Sequence, residues 1–204
     1  FMYKNNIGYI DTTGKYQTTN TLYSAQIMTA AQTAKVSAYH IASKILQEIG
    51  SKANSKYAGM GASGSVTGTY SKTYTGIYNF YNIGATSSAN PIANGLKWAK
   101  SGSTYQRPWN TPQKSILGGA QYLGEKYINA GQNTMYLQRF NVKSNGTYPI
   151  YTHQYMTNIS GAASEAASTA DAYQSLGIAA HAKTFVIPVF NNMPSESNTI
   201  TLGI

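Results

Sequence analysis

Ile41-Ala42-Ser43-Lys44-Ile45-Leu46-Gln47-Glu48-Ile49-Gly50 is the stretch on which the reading of this chain turns. At about 100° per residue, Ile41, Ala42, Ile45, Leu46 and Ile49 share one helical face, with His40, Ser43, Lys44 and Gln47 opposite. Glu48 follows Ile45 by three positions and Ile41 by seven, which sets it at the edge of the apolar face. Gly50 offers a left-handed stop for the helix. A carboxylate at such an edge can reach water or pair with Lys44 or Lys52. Pressed against packed aliphatics instead, its charged form is destabilised and its pKa rises toward the range of a general acid.

Composition narrows the choice. The 204 residues are enough for one domain with a real core and room for two lobes. No run of about 18 apolar residues is present, so no membrane span is expected. The chain begins at Phe1 without a signal peptide and reads as a domain cut from a longer protein, its targeting segment lost. The absence of cysteine rules out disulfides, thiolate metal sites and a cysteine nucleophile. Acidic residues are limited to Asp11, Glu48, Glu125, Glu165, Asp171 and Glu196, against fifteen Lys and Arg, for a formal charge of +9. Such a balance predicts attraction to a polyanion, either nucleic acid or an anionic cell wall. The basic residues are scattered and no basic helix or RNA-binding signature appears, so nucleic acid is not the expected partner. Eighteen tyrosines among many Asn, Ser, Thr and Gln suit a sugar-binding groove, where rings stack on pyranose faces and amides bond the hydroxyls.

Residues 1–19 read as a partly extended arm with turn signals at Asn5-Asn6, Gly8 and Thr13-Gly14. A helix is expected from Leu22 to Lys35, with Leu22, Ile27, Met28 and Ala31 inward, and a second from Val36 to Ile49. Residues 51–76 are rich in Gly, Ser, Thr and Tyr, and read as a mobile loop or a small hairpin lobe. Ile77-Tyr78-Asn79-Phe80-Tyr81-Asn82-Ile83-Gly84-Ala85 is either a buried segment whose Asn side chains bond a turn or a groove wall beside the acid. Further helices are expected over 91–100, 115–130 and 162–180, with a β-type run at 184–190.

Other chemistries find little support. His40, His153 and His181 lie far apart without metal-binding spacing, so no metal and no cofactor are expected. No nucleophile-elbow, phosphate-loop or dinucleotide pattern is present. Glu48 with its Tyr- and Asn-rich surround is what remains.

The order of segments is then informative. Ile45-Leu46-Gln47-Glu48-Ile49-Gly50, a Gly/Ser-rich insertion, and Tyr78-Asn79-Phe80-Tyr81-Asn82-Ile83-Gly84-Ala85 together resemble the catalytic domain of family 73 glycoside hydrolases, in particular its clostridial autolysins. The resemblance continues through Trp109-Asn110-Thr111-Pro112, Ser115 to Ala120, Tyr127 to Gln132, Thr152 to Ile159 and Ile187 to Pro194. It implies an α+β, mainly α, lysozyme-like fold over residues 1–204. A helical lobe and a small β-containing lobe (about 51–90) would flank a glycan groove. It further implies an endo-β-N-acetylglucosaminidase, an autolysin that cuts the β-1,4 bond between N-acetylglucosamine and N-acetylmuramic acid in peptidoglycan. The protein would be a secreted, cell-wall-associated monomer held there also by anionic wall polymers. Glu48 matches the general acid, and Tyr155 or Tyr151 the active-site tyrosine. Tyr78, Asn79, Phe80, Tyr81, Asn82, Trp109, His153 and Gln154 fall on segments expected to contact the substrate.

An ordinary glycosidase uses two carboxylates, yet none lies between Glu48 and Glu125. The expectation is that Glu48 protonates the leaving oxygen while the substrate's own 2-acetamido oxygen attacks the anomeric carbon. An inverting attack by water is the rival. Two other readings stay open: a wall-binding module that does not cut, and a lytic transglycosylase on the same fold.

Overall fold

The computed structural model describes residues 4–49, 72–86, 89–155, 158–175, 177–182 and 184–192. The arm expected at the N-terminus is a β-hairpin. Strand β1 (Asn6–Ile10) pairs antiparallel with β2 (Tyr16–Leu22), Ile10 facing Tyr16 and Gly8 facing Thr18, with a register shift between Asn6 and Gly8. Its turn is organised by one carboxylate. Asp11 Oδ1 accepts from the Thr13 amide at 2.8 Å, the Thr13 hydroxyl at 2.6 Å and the Lys15 amide at 3.0 Å. Oδ2 accepts from Gln17 Nε2 at 2.8 Å. Gly14 supplies the left-handed residue, at φ 85°.

Helix α1 (Tyr23–Ala34) buries Tyr23, Ile27, Ala30, Ala31 and Ala34 and stops at Lys35 in the left-handed region. Of the residues expected inward, Ile27 and Ala31 are buried, but Met28 and Leu22 are exposed. Helix α2 (Ala38–Ile49) buries Ile41 and Ile45 as its spacing predicts. Helix α3 (Pro91–Lys100) is capped by Asn90, and α4 (Pro112–Leu123) by Thr111, each with proline in the first turn. Helix α1 packs on α4 and α2. After α4 the helix widens into one π turn (Gly124–Ile128), closed by the Asn129 amide on the Gly124 carbonyl at 2.8 Å. That turn carries Asn129 Nδ2 to the Ala34 carbonyl at the end of α1, 3.1 Å away.

Between the helices the segment 77–85 forms no regular structure, yet Ile77, Tyr78, Asn79, Phe80, Tyr81 and Ile83 are buried. Gly119 of α4 makes room for it, since a Cβ there would lie 2.0 Å from the Tyr81 ring. The small lobe expected at about 51–90 falls largely outside the described residues. The described part holds a 3-10 turn (Lys72–Tyr74) and loops.

The chain divides into two compact units, Phe1–Asn133 and Thr134–Ile204. In the second, α5 (Met135–Phe140), capped by Thr134, packs on α6 (Gly161–Ser175), which buries Ala162 and Glu165. The run at 184–190 is exposed and forms no strand. Among the described residues no helix is long and apolar enough to cross a membrane.

The hydrogen bonds that Asp11 accepts, that from the Thr13 hydroxyl foremost, hold its carboxyl at about 2 instead of the usual 3.8. A depressed folded pKa stabilises above the ordinary value and loses that contribution as pH falls toward the folded one. Asp11→Asn is therefore expected to unfold at a lower temperature than wild type at pH 5, with the difference closing as pH falls from about 4 to 2. Paired thermal melts across that range check it.

Candidate functional site

Glu48 stands in the last turn of α2, where its side chain is 20% exposed. Lys44 and Asn82 meet its carboxylate. Lys44, one turn earlier, brings Nζ to 3.9 Å from Oε1, and Asn82 Nδ2 donates to Oε2 at 3.0 Å. The same Asn82 amide reaches the main-chain carbonyl of Glu48 at 3.3 Å.

Lys44 departs from the sequence expectation. Grouped there with the solvent face, it is 2% exposed and also donates to Gln47 Oε1 at 3.5 Å. Its direction on the helical wheel lies only about 60° from Ile41, and the i,i+4 spacing to Glu48 was the signal for the pair.

Five residues expected to touch glycan are instead built into the protein. Tyr78 is 1% exposed, and its hydroxyl both donates to the Ile10 carbonyl and accepts from the Ile10 amide, each at 2.8 Å. Asn79 donates to the carbonyls of Ile83 and Gly95 and accepts from the amides of Tyr81 and Ile83. The Phe80 amide donates to Ser115 Oγ at 3.1 Å, and the Tyr81 hydroxyl to the Ile116 carbonyl at 2.8 Å. Trp109, fully buried, donates from Nε1 to the Tyr105 carbonyl and packs edge-on to Trp98. Rings at this depth present no face to a pyranose. Their role is to fix the segment that delivers Asn82.

The remaining carboxylates of the first unit are committed elsewhere. Asp11 holds the hairpin turn, and the exposed Glu125 pairs with Lys126 at 2.8 Å. Among the described residues no group of three His, Asp or Glu side chains gathers to hold a metal.

In the second unit, residues 147–155 and Asn158 are moored on the end of α5. Buried Asn141 donates from Nδ2 to the carbonyls of Pro149 and Thr152, and its own carbonyl accepts from the Tyr151 amide. Arg139 donates to Gln154 Oε1 at 3.0 Å and to the Asn158 carbonyl at 2.8 Å, while the Tyr155 amide bonds the Gln138 carbonyl. Tyr151 and His153 both adopt left-handed backbone, at φ 64° and 52°. Tyr151 is 65% exposed, and the His153 ring stacks on Tyr148 with centroids 3.7 Å apart. Two left-handed non-glycine residues so close together mark a segment whose conformation is imposed, a condition that concentrates at functional sites.

Known proteins are similar to this chain in sequence and in fold. A protein of Staphylococcus epidermidis named bifunctional autolysin is 35% identical over 119 residues, which make up 58% of this chain and 8% of that protein. Over that stretch the chain is similar to an autolysin. This bears out the family resemblance of the sequence, although no family model matches. Staphylococcus aureus Autolysin E superposes with a TM-score of 0.50 at 26% identity, over 74% of this chain and 58% of that one. A catalytic mutant of Autolysin E solved with the disaccharide NAG-NAM gives 0.51 at 24% identity, over 74% and 59%. The expected α+β, mainly α fold is thus the fold of these enzymes. The chain spans a small fraction of the length of its curated relative.

Replacing a buried ion pair by apolar groups is close to neutral, whereas removing one partner is costly. The double variant Lys44→Met/Glu48→Leu is accordingly expected to change unfolding free energy by less than about 1 kcal/mol. Glu48→Gln, which leaves the buried ammonium without that carboxylate, should cost roughly 1–3 kcal/mol. Urea titrations of the two variants check the ordering.

Proposed function

We propose that this chain is the catalytic domain of a peptidoglycan hydrolase, an endo-β-N-acetylglucosaminidase with Glu48 as its general acid. The observation that carries the reading is a single half-buried carboxylate, gripped by Lys44 and Asn82, in a chain similar to an autolysin. The first unit has no other carboxylate free for the reaction, which supports the acetamido-assisted route. Glu48 gives its proton to the glycosidic oxygen as the C1–O bond breaks, and the 2-acetamido oxygen bonds C1. The Glu48 carboxylate then takes a proton from the water that opens this intermediate, so the first product keeps its anomeric configuration.

Tyr155 or Tyr151 orients the acetamido group in this proposal, on the strength of the resemblance and of the constrained backbone around them. The Tyr81 hydroxyl, spent on the Ile116 carbonyl, takes no part in this. His153 and Gln154 remain proposed substrate contacts, and one domain over residues 1–204 remains the proposed functional extent. The partner is a peptidoglycan strand, in keeping with the NAG-NAM bound by the Autolysin E mutant. Secretion, a cell-wall location and a monomeric state belong to the same reading.

Purified peptidoglycan is digested with wild type and Glu48→Gln, and the fragments are reduced with borohydride and weighed. New reducing N-acetylglucosamine ends from wild type, with at least a 100-fold loss in Glu48→Gln, are expected. Reducing muramic ends would make it a muramidase and anhydro-muramic ends a lytic transglycosylase. Cutting by neither protein would favour a binding module. NMR of the first product tests the mechanism, since initial inversion would overturn acetamido participation. The formal charge of +9 is also expected to hold the protein on anionic wall polymers. Binding to purified wall should then weaken steadily as salt rises from about 0.01 to 0.5 M, and salt-insensitive binding would refute that part.

A further inference from the structure

We propose that Asn82 is a positioning residue for Glu48 and not a glycan contact. This deepens the reading of Glu48 as the acid and rests on it. The backbone at Asn82 is left-handed, at φ 51°, a conformation that glycine adopts freely and asparagine tolerates at some cost. Gly84, two residues on, meets the same demand with glycine at φ 79°. The side chain at 82 is therefore not needed to make the turn.

What the side chain does is specific. Its Nδ2 faces two acceptors of one residue, the Glu48 main-chain carbonyl at 3.3 Å and carboxylate Oε2 at 3.0 Å. The carbonyl belongs to the last turn of α2, where helical carbonyls have no partner further along the helix. One amide thus caps the helix and fixes the direction of the side chain leaving it. Because both acceptors are oxygens, the amide presents only its nitrogen there and cannot flip without losing both bonds. The other carboxylate oxygen, Oε1, faces the ammonium of the buried Lys44. Glu48 is consequently restrained at both oxygens.

Asn82 is itself held from behind. Asn79 bonds the amide and carbonyl of Ile83, next to Asn82, and the Asn82 carbonyl accepts from the Ala85 amide. The clamp is rooted in the core, so its geometry is imposed on Glu48 and not borrowed from it. An acid displaced by about 1 Å can lose on the order of 100-fold in rate, which is what such a clamp guards against.

Peptidoglycan turnover by the full chain tests the assignment, with Asn82→Gly, Asn82→Asp and Glu48→Gln measured beside wild type. Glycine fits the backbone and removes only the amide, while aspartate keeps the shape and replaces the donor with a second carboxylate. Both variants are expected to keep their unfolding midpoints and to lose at least about tenfold in kcat, with apparent KM within about twofold. A raised KM with unchanged kcat would make Asn82 a substrate contact and overturn the proposal. So would kcat within about twofold of wild type in Asn82→Gly while Glu48→Gln is inactive. Loss of folding in both variants would reassign the residue to packing. Activity in Glu48→Gln would instead sink the acid reading, and this assignment with it.

Discussion

The side-chain amide of Asn79 makes four hydrogen bonds in a place where neither helix nor strand is available to make them. A buried irregular segment must satisfy its backbone groups one by one, or forfeit roughly 1–3 kcal/mol for each left over. Residues 77–85 do so partly through two side chains, Asn79 and Ser115, while two tyrosines of the segment tie it to its neighbours. The Asn79 amide turns the chain on itself, Ser115 takes the Phe80 amide, and the hydroxyls of Tyr78 and Tyr81 reach the hairpin and α4. The helices of the first unit are arranged about this segment. Gly119 is bare where the Tyr81 ring lies against α4, and the hairpin is pinned at Ile10.

The geometry at Glu48 inherits its precision from that arrangement. Neither α2 nor the loop would hold the carboxylate alone, since a glutamate in a last helical turn has several rotamers open to water. Joining a rigid loop to the helix end through one amide removes that freedom without an additional element. The buried ammonium of Lys44 adds a fixed charge beside the carboxylate. Polar groups retained in this way, where apolar ones would pack as well, are in keeping with a site selected for chemistry over stability.

How much of this was legible in the sequence depends on which interactions are local. The aliphatic spacing of α2, the Asn90-Pro91 and Thr111-Pro112 starts, and the turn at Thr13-Gly14 are local signals, and each marks what the structure contains. Strand β2 alternates in burial, but with polar residues that carry no apolar alternation, and in β1 a register shift breaks the pattern. The tyrosines misled for a physical reason. Their abundance suggested a sugar-binding surface, but a phenol hydroxyl is also what an irregular core needs to bond stray backbone groups. Tyr78 and Tyr81 serve that end, and composition cannot separate the two uses. Lys44 was misplaced because a charged residue was assigned to water by type, although its angle on the helix set it beside Ile41.

The wide turn at Gly124–Ile128 bears on how this chain should be aligned with its relatives. A helix that takes up one extra residue in a π turn keeps its axis, while everything beyond is rotated by about 100°. Here that rotation brings Asn129 under the end of α1, and Gly124 is the position where a Cβ would meet the Ala34 carbonyl at 2.8 Å. A relative with an uninterrupted helix would match α4 residue for residue and then fall out of step by one. The single-residue gap belongs within 124–128, and an alignment that pushes it into the next loop would pair residues facing different ways.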